Sequence, residues 1–157
     1  MAGVLSLDIE TSNYSYDIGG WDKTSMFEPT VVATYDGDKS TIFCNHDVDV
    51  EGADIRPLHP RDALDCHDAG VVLRKHKDSI IDTSQHLRKA TTKIGNQFFI
   101  KLDDVCKHTL QRGKTMKSVD APVQWGQGNH TDVAKYCLSD AMLNWELWLH
   151  GVETGIV

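Results

Sequence analysis

Asp8 and Glu10 stand two residues apart in Leu7-Asp8-Ile9-Glu10-Thr11, and Tyr136 and Asp140 stand four apart in Tyr136-Cys137-Leu138-Ser139-Asp140. Alternate residues of a strand share a face, and so do residues four apart on a helix, so each pair projects together. Carboxylates gathered in one place repel one another unless cations lie between them. If the helix carrying Tyr136 packs beside the strand carrying Asp8, three carboxylates and a phenol converge. Hard oxygen donors of this kind suit Mg²⁺ or Mn²⁺ better than zinc. Two such ions about 3.5–4 Å apart can clamp a phosphodiester, one activating water and the other stabilising the leaving oxygen. Either motif alone is common. Their joint occurrence at opposite ends of one chain, each in the fitting element, is far more specific.

The elements that must position these groups can be read from periodicity. Over Val4–Glu10, Leu5, Leu7 and Ile9 alternate with Ser6, Asp8 and Glu10, which predicts a strand. Residues 12–28 hold Asn, Gly-Gly, Asp and Ser, and read as an irregular loop just after the carboxylates. Thr30–Tyr35 and Ser40–Cys44 flank Asp36-Gly37-Asp38-Lys39, a hairpin signal. Pro57 and Pro60 argue against a long helix over residues 45–70, and Val71–His76 reads as a short helix or strand.

Helices are expected over Ser84–Ile94 and Leu102–Gln111, the second stopped by Gly113. A loop follows, with Pro122, Trp125, Gly126 and Gly128. In the last helix Thr131-Asp132 supplies a cap and a first-turn acid, and Val133, Cys137, Leu138, Ala141, Met142, Trp145 and Trp148 form an apolar stripe ended by Gly151. Trp125, Trp145 and Trp148 read as core residues. The expected architecture is one compact α/β domain over residues 1–157: a mixed sheet with strand one central and helices on both faces.

A chain of 157 residues can bury a real core, and 40% hydrophobic with 25% charged residues is a globular composition. No apolar run reaches the roughly 20 residues of a membrane span. The N-terminus shows no basic region or signal core, and Cys44, Cys66, Cys106 and Cys137 show no CxxC spacing, which predicts a reduced, cytoplasmic setting. The net charge of −7 is unevenly spread. Val71–Lys117 holds eleven Lys/Arg against four Asp, a balance of +7, and the remainder holds five against nineteen Asp/Glu, a balance of −14. A basic segment beside an acidic metal site is what phosphate binding plus metal chemistry requires. Its members Arg74, Lys75, Lys77, Arg88, Lys89 and Lys93, with Thr11 beside the carboxylates, are the expected nucleic-acid contacts.

These residues resemble the Asp-Glu-Asp-Asp superfamily of 3′–5′ exonucleases, in the group that carries Tyr in its last motif. Beyond Asp8, Glu10, Tyr136 and Asp140, the likeness rests on Ile81-Asp82-Thr83, Lys101-Leu102-Asp103-Asp104, Gly113-Lys114, Ala121-Pro122 with Trp125, and Gly151 with Gly155. It covers about the first 45 residues and the last 80. The resemblance implies a ribonuclease H-like fold and a 3′–5′ exonuclease acting on DNA or RNA with two Mg²⁺ or Mn²⁺ ions. By the same resemblance Asp8 bridges both ions, Glu10 and Asp140 hold one, and Tyr136 orients the attacking water.

The family's second motif, Asn-x-x-x-Phe-Asp, is contracted here to Leu64-Asp65-Cys66-His67-Asp68. His67-Asp68 aligns with Phe-Asp and makes Asp68 the fourth metal-binding carboxylate, with Asp65 as competitor. Cys66, His67 and His76 leave a weaker zinc reading open. The rival to an enzyme is a catalytically silent relative that binds nucleic acid or a protein partner, and a subunit active only inside a larger assembly is a third reading.

Overall fold

The computed structural model describes residues 4–58 and 101–155. The alternating first segment forms strand β1, Ser6–Thr11, and the two runs that follow form β2, Pro29–Tyr35, and β3, Ser40–Cys44. β1 with β2 and β2 with β3 pair antiparallel, whereas β4, Ala53–Arg56, joins β3 in parallel. A mixed four-stranded sheet in the order β1-β2-β3-β4 results. The helices are α1, Leu102–Thr109, α2, Ala121–Gly126, and α3, His130–Thr154.

The mixed α/β class agrees with the sequence. Among the described residues β1 stands at one end of the strand order. Loop 12–28 and the 36–39 turn each return the chain beside the strand just completed, so chain order becomes spatial order. Helices on both faces were expected. Among the described residues α2 and α3 cover one face, where Ala121, Val133, Ala134, Cys137, Leu138 and Ala141 pack on Val31, Ala33, Ile42, Cys44 and Val48. α1 joins the far half of α3 through a second cluster, Val105 and Cys106 against Leu143 and Leu147.

The predicted hairpin forms as written. The Asp36 carboxylate accepts from the backbone N–H of Lys39 at 2.8 Å and of Asp38 at 3.0 Å, which holds its pKa below the usual range. Gly37 adopts φ +99, and a Cβ there would lie 2.6 Å from the Trp145 ring, so the turn can seat on α3 only with glycine. Trp145 in turn stands edge-on to Tyr35 and packs against Trp148, at 6.0 and 5.1 Å between ring centroids. Trp125, Trp145 and Trp148 are half-buried at the rim of the core, not inside it.

Several boundaries depart from the sequence reading. β4 and the short helix α2 lie where loops were expected, Pro122 fitting the first turn of α2, where its missing N–H costs nothing. α3 runs through Gly151 and closes at Gly155, whose φ of 70 and N–H bond to the Gly151 carbonyl form the cap. One interior glycine costs about 1 kcal/mol, too little to break a helix anchored by tertiary packing. Thr131 lies inside α3 and spends its hydroxyl on the Asp49 N–H at 3.2 Å, tying down the segment before β4. α1 ends at Thr109, with Gln111, at φ 55, as the left-handed residue in place of Gly113. Among the described residues no helix is long and apolar enough to cross a membrane.

Candidate metal centre

In the antiparallel register Asp8 lies opposite Ala33 and Glu10 opposite Val31, both partners fully buried beneath α3. Cross-strand partners share a face, so the carboxylates of β1 turn inward while Leu5 and Leu7 are 60% and 49% exposed. The helix is pinned to this face by Cys137, whose thiol donates to the Asp8 carbonyl at 3.4 Å and approaches the Val31 carbonyl at 3.9 Å. Asp140 then reaches the strand, and Tyr136, one turn earlier on α3, joins it through Lys114. The Thr30 hydroxyl donates to the Glu10 carbonyl at 3.1 Å and steadies the strand end. One carboxylate oxygen from each of Asp8, Glu10 and Asp140 falls within 4.8 Å of the others.

Burial makes this cluster expensive. Asp140 is 1% exposed, and its Oδ1 and the Asp8 Oδ2 are sealed from solvent without a hydrogen-bond partner among the described residues. Desolvation first, then the charge of Asp140, raises the Asp8 pKa from 3.8 to about 7. Desolvation, then Asp8 and Asp140, raises Glu10 from 4.5 to about 8. Burial also raises Asp140, against the pull of Lys114. Two orphaned buried oxygens amid three hard carboxylates fit a divalent cation, because a cation satisfies the oxygens and removes the repulsion together.

Lys114 is the side chain of this cluster that the sequence reading missed. Its ammonium donates to Asp140 Oδ2, to the Tyr136 hydroxyl at 2.9 Å and to Ser118 Oγ at 3.3 Å, using all three of its protons. Burial works against the Lys114 charge, but the bonds to Asp140 and Tyr136 outweigh it and raise the pKa. The loop before it is held against α1 by a bond from the Lys114 N–H to Asp103 Oδ1 at 2.9 Å. A Cβ on Gly113 would stand 2.7 Å from that same oxygen, so glycine permits the approach. The Gly113-Lys114 pair was a sequence signal, but Lys114 was counted with the basic segment and not with the carboxylates. Burial raises the Tyr136 pKa to about 12, so its hydroxyl stays neutral and shares hydrogen bonds with Lys114 and Ser118.

Of the predicted site residues, Asp8, Glu10, Tyr136 and Asp140 come together. Thr11 sits where the β1–β2 register shifts, and its hydroxyl donates to the Asn13 carbonyl at 2.8 Å. Asp68, its competitor Asp65, and Arg74, Lys75, Lys77, Arg88, Lys89 and Lys93 lie outside the described residues, as do Cys66, His67 and His76. An open cleft of about 840 Å³ adjoins the centre, lined by Lys101, Lys107, Lys114, Lys117, Ser118 and Val119 among others. No protein-family model matches the chain, and no curated protein matches it.

Proposed function

We propose that the chain is a divalent-metal-dependent 3′–5′ exonuclease with a ribonuclease H-like fold. The observation that carries this reading is the meeting of Asp8 and Glu10 from β1 with Asp140 from α3, two of their oxygens buried without partners. The antiparallel β1-β2-β3 unit, with carboxylates on its first strand and α3 packed over it, is compatible with that fold.

Asp8, Glu10 and Asp140 would hold Mg²⁺ or Mn²⁺, and Asp68 is the further carboxylate that the resemblance supplies. Bound there, the ions would polarise water and stabilise the leaving oxygen of a phosphodiester. Tyr136, kept neutral by burial, orients the attacking water through its hydroxyl and leaves proton removal to other groups. Lys114 places a positive charge next to Tyr136 and Asp140, where the phosphoryl group gains negative charge. The helix over the strand shields these contacts from bulk water and so strengthens them.

The test is incubation with 5′-labelled single- and double-stranded DNA and RNA in Mg²⁺, Mn²⁺ or EDTA. A ladder of products shortened from the 3′ end, absent in EDTA, is expected. Full-length substrate under every condition overturns the proposal.

One observation favours a second reading. Lys114 already neutralises Asp140, so the domain could serve as a silent binding module with a lysine as its resident cation. A Mn²⁺ titration separates the two, because the silent module gains no thermal stability from the ion.

A further inference from the structure

Loop 12–28, which begins one residue after β1, holds two aromatic pairs. Tyr14 and Tyr16 stack at 4.8 Å between centroids with their planes 11° apart, and Trp21 leans on Phe27 at 5.5 Å. Tyr16 is 73% and Trp21 79% exposed, although the loop that displays them is itself well braced. Asn13 bridges its ends, donating to the Met26 carbonyl at 2.8 Å and accepting from the Glu28 N–H at 3.1 Å, and Ser12 N–H reaches the Glu28 carbonyl at 2.9 Å. The Tyr14 hydroxyl donates to the Val119 carbonyl at 2.8 Å, and Val119 lines the lysine-bearing cleft. The stacked tyrosines therefore abut the cleft. In that cleft Lys101 and Lys117 form no ion pair among the described residues, and Lys114 leads to Asp140.

We infer that the Tyr14–Tyr16 stack and the Lys101–Lys117 cleft form one groove for unpaired nucleotides, bases stacking on Tyr16 and phosphates lying along the lysines. The inference deepens the nuclease reading and rests on it for the class of ligand. Every nucleobase has a π face, and stacking on an exposed aromatic ring contributes about 1–3 kcal/mol per base, while lysines track the backbone charge. A tyrosine pair offers its outer ring face to a base only when that base is not enclosed between duplex neighbours. Single strands and frayed 3′ ends fit the groove, and blunt duplex does not. A rigid loop that keeps rings in water without burying them suits a surface that is covered on binding.

The test uses the full chain in EDTA, with fluorescence anisotropy of labelled single strands of about ten nucleotides, DNA and RNA in separate arms, against a blunt duplex. Tyr16→Ala is expected to weaken single-strand binding by about 5- to 150-fold at unchanged thermal stability. Lys117→Gln is expected to lower the slope of log affinity against log salt by about 0.7, the signature of one lost phosphate contact on a single strand. Mn²⁺-dependent hydrolysis of the p-nitrophenyl ester of thymidine 5′-monophosphate, too small to span the groove, should survive Tyr16→Ala. Wild-type single-strand affinity in Tyr16→Ala, or equal affinity for blunt duplex and single strand, overturns the groove and leaves the aromatic patch to a protein partner. Tyr16-dependent binding without hydrolysis of the ester or of any strand supports the groove and removes the nuclease reading instead.

Discussion

Lys114 and Asp140 form the one ion pair among the described residues in which both side chains are largely buried, at 18% and 2% exposure. The lysine holds one carboxylate oxygen, while Asp140 Oδ1 and Asp8 Oδ2 have no hydrogen-bond partner among the described residues. On the metal-dependent reading proposed above, ammonium and metal would contend for one carboxylate.

Lys114→Met should expose that contest. Removing one partner of a buried pair leaves an uncompensated charge, and the metal-free protein is expected to lose about 3 kcal/mol. Saturating Mn²⁺ should then raise the melting temperature of the variant more than that of the wild type, as followed by thermal denaturation with and without the ion. Equal shifts would mean that Lys114 does not compete.

Asp8→Asn is expected to abolish hydrolysis of labelled oligonucleotides and to raise the melting temperature of the metal-free protein. The substitution deletes a charge that desolvation and Asp140 oppose, at almost unchanged volume. Wild-type turnover in this variant would remove Asp8 from the centre.

The pH dependence of the metal-free protein follows from the same groups. Asp8 and Glu10 are raised from 3.8 and 4.5 to about 7 and about 8 on folding. Between those limits the folded protein keeps protons that the unfolded chain has released, so the contribution of these two groups to stability falls as pH rises from about 4 to about 8. Denaturant melts of wild type against an Asp8→Asn, Glu10→Gln double variant isolate that slope. Because ions replace the protons, Mn²⁺ affinity should rise across the same window in calorimetric titrations.

Tyr136→Phe keeps the ring and every carboxylate and deletes the hydroxyl that Lys114 and Ser118 engage. Turnover is expected to fall roughly ten- to a thousandfold with Mn²⁺ affinity nearly unchanged, read from single-turnover kinetics beside calorimetry. Normal turnover would leave Tyr136 as a packing residue.

Gly113→Ala tests how the lysine is delivered. The new methyl group would meet Asp103 Oδ1 at 2.7 Å and force apart its bond to the Lys114 N–H, at a cost of about 1 kcal/mol in stability. The altered loop should lower turnover as well, since the Lys114 ammonium is aimed by that backbone.

By itself the sequence determined the local geometry of the centre. Period two on β1 joins Asp8 to Glu10, and helical spacing on α3 joins Tyr136 to Asp140, because each depends only on backbone rise and rotation. The Asp36-Gly37 turn was legible for the same reason, since its chemistry lies within four residues. Tertiary structure alone decided which face of β1 is buried. Leu5 and Leu7 stand exposed, and the seat of Cys137 over the Asp8 and Val31 carbonyls brings α3 onto the carboxylate side. It also decided that Lys114, 26 residues before Asp140, belongs to the centre. No periodicity encodes that pairing, which arises from the close approach of Gly113 to α1 and from the need of buried carboxylates for a cation.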